Sequence, residues 1–131
     1  MEKKYQLAIE ARMNAYAPYS NYFVGACLVL ANGEFITGAN VENSSFGLCN
    51  CAERTALFAA YAKGYRKDDI KELIVCTKND VPAAPCGACR QVISELMNKN
   101  ALVTLINPEL KNTKTYTVNE LLPFAFSGED L

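Results

Sequence analysis

A chain of 131 residues, half of them hydrophobic and 21% charged, can bury one ordinary core and is too apolar to be disordered. A net charge of −1 with no long run of one sign leaves no electrostatic footprint for a nucleic-acid polymer or an anionic membrane. The longest apolar run, Phe23–Ala31, is far too short to span a bilayer, and the first dozen residues lack a signal-peptide core. The expectation is one domain over residues 1–131, soluble and cytoplasmic.

Tyr5, Ile9, Met13 and Tyr16 recur at a helical period, so residues 2–16 predict a helix that Pro18 ends. Phe23–Leu30 is continuously apolar, as in a strand covered on both faces. Asn32-Gly33 predicts a hairpin turn, with Glu34–Asn40 returning. Gly25 and Gly38 weaken both strands. A loop rich in Asn and Ser runs over Val41–Asn50. Cys51–Lys63 suits a helix, and Gly64 is placed to stop it. Glu72–Thr77 reads as the third strand. Pro85 is expected to open a helix running to about Asn98, where its missing N–H costs nothing. Ala101–Asn107 and Lys114–Val118 predict two more strands, joined by a link short enough to make them antiparallel. A short helix near Asn119–Leu122 precedes a Phe-rich tail. The order α-β-β-α-β-α-β-β-α implies parallel pairing in the middle and helices on both faces of the sheet.

The chemistry concentrates in Cys51-Ala52-Glu53 and Pro85-Cys86-Gly87-Ala88-Cys89. Cys86 and Cys89 are three apart at a helix start and share a face that continues as Ile93, Leu96 and Met97. Cys51 opens the other helix. Both helix N-termini would point positive partial charge at thiolates, which lowers thiol pKa and helps load a metal. A structural zinc site takes four protein ligands. A hydrolytic one takes three, an open position for water and a group that moves protons. Because the chain has no histidine, any zinc chemistry is thiolate chemistry. On spacing alone Cys49 could complete a four-cysteine structural site, the CxxC could be a redox pair, and inert buried thiols also fit. Cys27 and Cys76 sit in strand-like runs and read as small buried hydrophobes.

Glu53 beside Cys51, with a proline-led CxxC downstream, resembles the zinc deaminase signature. The resemblance to the small, homotetrameric cytidine deaminases covers nearly the whole chain. It includes Ala17-Pro18-Tyr19-Ser20, Phe23-Val24-Gly25-Ala26, Asn40-Val41-Glu42-Asn43, Cys49 to Ala56, Pro85 to Gln91, and Glu120-Leu121-Leu122-Pro123. It implies a three-layer α/β/α sandwich around a five-stranded mixed sheet. One Zn2+ per subunit would be held by Cys51, Cys86 and Cys89, with Glu53 as the proton shuttle. The backbone beside Ala52 would hold the base, Asn40 and Glu42 the ribose hydroxyls, and Phe23 would pack against the nucleoside. Phe126 would reach a neighbouring subunit's site in a homotetramer. The implied reaction is hydrolysis of cytidine and deoxycytidine to uridine and deoxyuridine with release of ammonia, in pyrimidine salvage. Two positions depart from the pattern: many relatives carry Tyr at Phe46 and Gly at Phe124, and both bear on substrate fit.

Three thiolates around a dication leave a formal charge of −1, which weakens the metal as a Lewis acid. A cation donating to the sulfurs would restore acidity, and Arg54 is the candidate. The alternatives are a deaminase of another small cytosine-bearing nucleoside such as blasticidin S, or a structural zinc module with Cys49 as fourth ligand. An editing enzyme for polynucleotides would need a basic groove.

Overall fold

A computed structural model describes all 131 residues. The elements run α1 (Lys3–Arg12), β1 (Gly25–Leu30), β2 (Phe35–Ala39), α2 (Ala52–Ala62), β3 (Ile70–Cys76), α3 (Gly87–Leu96), β4 (Leu102–Ile106), β5 (Lys114–Thr117) and α4 (Val118–Leu121). The strands form one mixed sheet in the order β2-β1-β3-β4-β5. Its centre is antiparallel between β1 and β3 (Gly25 opposite Cys76) and parallel between β3 and β4 (Glu72 beside Leu102). Both outer pairs are antiparallel. The parallel pairing expected around the first crossover is therefore not direct. β2 and β3 run the same way, but β1 lies between them.

The layers follow from two cores. Ala56, Leu57 and Ala60 of α2, Cys89 and Ile93 of α3, and Val118 and Leu121 of α4 bury one sheet face with Leu28, Leu73, Val75 and Leu105. On the other face Ala8 of α1 packs with Cys27, Ile74, Cys76 and Ile106. Each fully buried Leu or Ile contributes roughly 1.5–3 kcal/mol. Cys27 and Cys76 are wholly buried, and burial pushes each thiol up to about 11, as inert core positions require.

Two glycines carry this packing. A Cβ on Gly25 would lie 2.1 Å from the Ala8 carbonyl oxygen, and one on Gly38 would lie 2.6 Å from the Ala56 nitrogen. They are close-approach points for α1 and α2 rather than weaknesses in the strands. The close seat of α1 also explains why its buried residues are Ala8 and Ala11, not the expected stripe. Met13 and Tyr16 lie beyond the helix and are exposed. Gly64 stands at positive φ just past α2.

The cavity described below sits where the register ends. β2 finishes at Ala39, β1 begins at Gly25, and β3 runs out at Cys76 along the same edge of the sheet. The open carboxyl ends of strands are a common ligand position in α/β folds.

Candidate active site

Cys51 and Cys86 are the N-cap residues of α2 and α3, both with extended backbone. The second helix thus begins at Gly87 rather than at Pro85, because Cys86 takes the cap: its sulfur accepts from the Cys89 N–H at 3.5 Å. Cys89 lies one turn in and is fully buried, while Cys86 is exposed. The sulfurs of Cys51 and Cys86 are 3.9 Å apart, and all three sulfurs lie within 4.8 Å of one another. Thiolates about 2.3 Å from a tetrahedral zinc stand about 3.8 Å apart, so this donor set fits the metal. Cys49 does not join it. Its sulfur accepts from the Asn43 N–H at 3.3 Å, turned into the neighbouring loop.

The thiols are electrostatically coupled. A hydrogen bond from Cys89 and the Arg54 guanidinium hold Cys51 well below the ordinary thiol range, against the opposing effect of burial. Cys89 is pushed up in return, first by that hydrogen bond and then by burial. Arg54 donates from Nη2 to the Cys51 sulfur at 3.3 Å, and this contact raises its own pKa further.

Glu53 occupies the first turn of α2 and is 5% exposed. Burial raises its carboxyl to about 7, with the Cys51 thiolate adding to the effect and a backbone hydrogen bond opposing it. A carboxyl poised there can both take and give a proton near neutral pH.

Glu53, Cys51, Ala52 and Cys86 open onto one cavity of about 320 Å³, with Asn40, Glu42, Ser20 and Tyr22 across from them. That is the size of a small-molecule site. Asn40 is held on both sides: its Oδ1 accepts from the Val24 N–H and its Nδ2 donates to the Tyr22 carbonyl, each at 2.8 Å. Tyr22 and Val24 line the cavity, and Phe23 between them does not. In an extended segment neighbouring side chains point opposite ways. Phe126 is also outside the lining, 58% exposed, with its carbonyl accepting from Gln91 at 3.0 Å.

Residues 1–105 match the family described as the cytidine and deoxycytidylate deaminase zinc-binding region, a span that includes all three clustered cysteines, Glu53 and Arg54.

The chain belongs to that family.

A cytidine deaminase of Halalkalibacterium halodurans is 50% identical over 124 residues, covering 95% of this chain and 92% of the other. One of Sporosarcina psychrophila is 46% identical over 131 residues, covering 100% and 94%. The crystal structure of a Burkholderia pseudomallei cytidine deaminase superposes with a TM-score of 0.91 at 48% identity, covering 96% of this chain and 100% of that one. The five-stranded α/β fold is therefore that of the cytidine deaminases. Membership makes the chain a zinc-binding deaminase, and the Cys51, Cys86 and Cys89 group is what it offers the metal.

Several site residues escape sequence reasoning. Thr55 donates to the Cys51 carbonyl at 3.1 Å and accepts from Asn50 at 3.1 Å, bracing the cap. Arg90 donates to the Pro85 carbonyl at 2.8 Å and to that of Leu121 at 3.0 Å, tying the second metal loop to α4. Ser20 closes the Ala17-Pro18-Tyr19-Ser20 segment, but its partner, Glu42, is 22 residues away, and loop pairs have no readable period. The two departures look different in space. Phe46 is exposed and meets Tyr19 edge-on at 5.9 Å. Phe124 is fully exposed at φ +55°, a backbone region that explains why glycine suits the position.

Proposed function

We propose that the protein hydrolyses cytidine and deoxycytidine to uridine and deoxyuridine, releasing ammonia, as part of pyrimidine salvage. The observation that carries this reading is the convergence of three thiols and one buried carboxyl on a single nucleoside-sized cavity. Cys51, Cys86 and Cys89 would hold the zinc, which when bound supplies Lewis acidity and lowers the pKa of water to about 7.

The chain's own residues do the rest. Glu53 takes one proton from the attacking water and delivers it to N3 of the ring. It then takes the remaining proton from the new C4 hydroxyl and gives it to the amine, so that the C4–N bond breaks, ammonia leaves and a C4 carbonyl remains. A carboxyl raised to about 7 by burial suits both directions of transfer. Ala52 presents backbone at the base, at the first residue of α2. Asn40 and Glu42 take the sugar hydroxyls from the cavity wall facing Glu53. Arg54, already bonded to the Cys51 sulfur, offsets the thiolate charge.

The exposed Phe126 and the apolar tail support a homotetramer with shared active sites, Phe126 completing a neighbour's cavity. Six free cysteines fit a reducing cytoplasm, and no helix is long and apolar enough to cross a membrane.

The test is ultraviolet change and ammonia release with zinc-loaded protein on cytidine, deoxycytidine, cytosine and CMP, with sedimentation of the same preparation. Rapid turnover of the two nucleosides, slow turnover of the base, and particles of four chains are expected. A site that hydrogen-bonds hydroxyls can reject an analogue lacking them by about 10⁴–10⁵. No activity on either nucleoside would refute the reading. Full activity in a single-chain particle would remove the shared sites.

A further inference from the structure

Four cavity residues form one hydrogen-bonded unit around Ser20. The Ser20 hydroxyl oxygen accepts from the Tyr22 N–H at 3.0 Å. With that acceptor position used, its own proton is directed onto Glu42 Oε2. The other carboxylate oxygen, Oε1, accepts from the Tyr19 N–H at 3.0 Å and the Ser20 N–H at 3.2 Å. Tyr22 also supplies the carbonyl that fixes Asn40. A single hydroxyl thus connects both groups assigned to the sugar.

The count of acceptor positions is informative. An ionised carboxylate offers about four lone-pair positions. Three are filled from within the chain, so one, on Oε2, remains for a ligand. The hydrogen bond from Ser20, followed by the two backbone donors, holds the Glu42 carboxyl below its usual range and so keeps it a pure acceptor. Glu42 is reached by solvent, and a free glutamate there would lose side-chain entropy whenever it bound a sugar. The Ser20 bond removes that freedom before the ligand arrives.

We propose that Ser20 is a positioning residue that fixes Glu42 with one acceptor position aimed at a nucleoside hydroxyl, and thereby sets discrimination for the sugar. The proposal rests on Glu42 reading the sugar, and its test separates the two ideas.

The experiment compares kcat and KM of zinc-loaded wild type, Ser20→Ala, Ser20→Thr and Glu42→Gln on cytidine and on 2′,3′-dideoxycytidine, which lacks both ring hydroxyls. Ser20→Ala should lower kcat/KM on cytidine about tenfold, mostly through KM, the size of one lost charge-assisted hydrogen bond. On the dideoxy substrate it should change kcat/KM by less than about twofold, because the interaction it supports is not made there. Ser20→Thr keeps the hydroxyl and should restore the wild-type ratio. Equal losses on both substrates would make Ser20 merely structural and overturn the proposal. So would a full collapse of the ratio in Glu42→Gln with none in Ser20→Ala, a result that leaves the sugar reading standing. An unchanged ratio in Glu42→Gln would defeat the sugar reading and the proposal together. Should Ser20→Ala melt early, Ser20→Cys, close in size with a weaker donor, carries the same comparison.

Discussion

Arg54 is the residue we propose sets the charge balance of the site. Its Nη2 reaches the Cys51 sulfur, while its Nε is buried with no partner inside the chain. Three thiolates lacking that donor would bind zinc as an overall anion and blunt its acidity. Outer-shell partners of this kind are typically worth about 10–100-fold in metal affinity or activity. Arg54→Ala should therefore lower turnover per bound zinc by about tenfold or more with Glu53 still in place. Normal turnover and zinc content in that variant would sink the role. The type of residue at each site position was largely legible from sequence; orientation was not. Residues two apart on a helix point different ways, so Glu53 and Cys51 gave no wheel argument. The structure resolves this because Cys51 is an extended cap outside the helix and Glu53 is inside it. The pairing of Ser20 with Glu42 was hidden for a different reason: nothing periodic joins two loops.

Among the elements, α2 and α3 do most of the positioning. Each caps itself with a metal-site cysteine and turns its positive end toward the sulfurs. Gly38 of β2 decides how closely α2 can sit. A Cβ there would lie 2.6 Å from the Ala56 nitrogen and 2.8 Å from the Ala52 carbonyl oxygen, both backbone atoms that cannot swing aside. Gly38→Ala should cost at least about 1–3 kcal/mol and speed zinc loss to a chelator, since Ala52 is flanked by Cys51 and Glu53. An unchanged denaturation midpoint together with unchanged zinc release would contradict this. Hydrophobic runs and turn residues identified the strands within a residue or two, because Val, Ile and Leu bounded by Asn-Gly leave few alternatives. Helix α1 was less legible. Its apolar period was real, but Gly25 admits the helix so closely that small Ala8 and Ala11 make the contact.

For the molecule as a whole, the sheet collects the parts that the chain scatters. Residues from 20 to 86 meet at one end of the sheet because β1, β2 and β3 share that boundary. The order of elements was readable, but the insertion of β1 between β2 and β3 was not, since alternation of strand and helix does not specify which strands are neighbours. The central claim is that the three-thiol cluster and Glu53 together make a hydrolytic centre, with metal retention and proton transfer carried by different residues. The most direct measurement pairs zinc content with cytidine turnover in Glu53→Gln. The expected result is one zinc per chain, an unchanged melting temperature and turnover reduced by at least about 10²-fold, the low end for general acid–base catalysis. Turnover near the wild-type rate, or zinc lost along with activity, would contradict it.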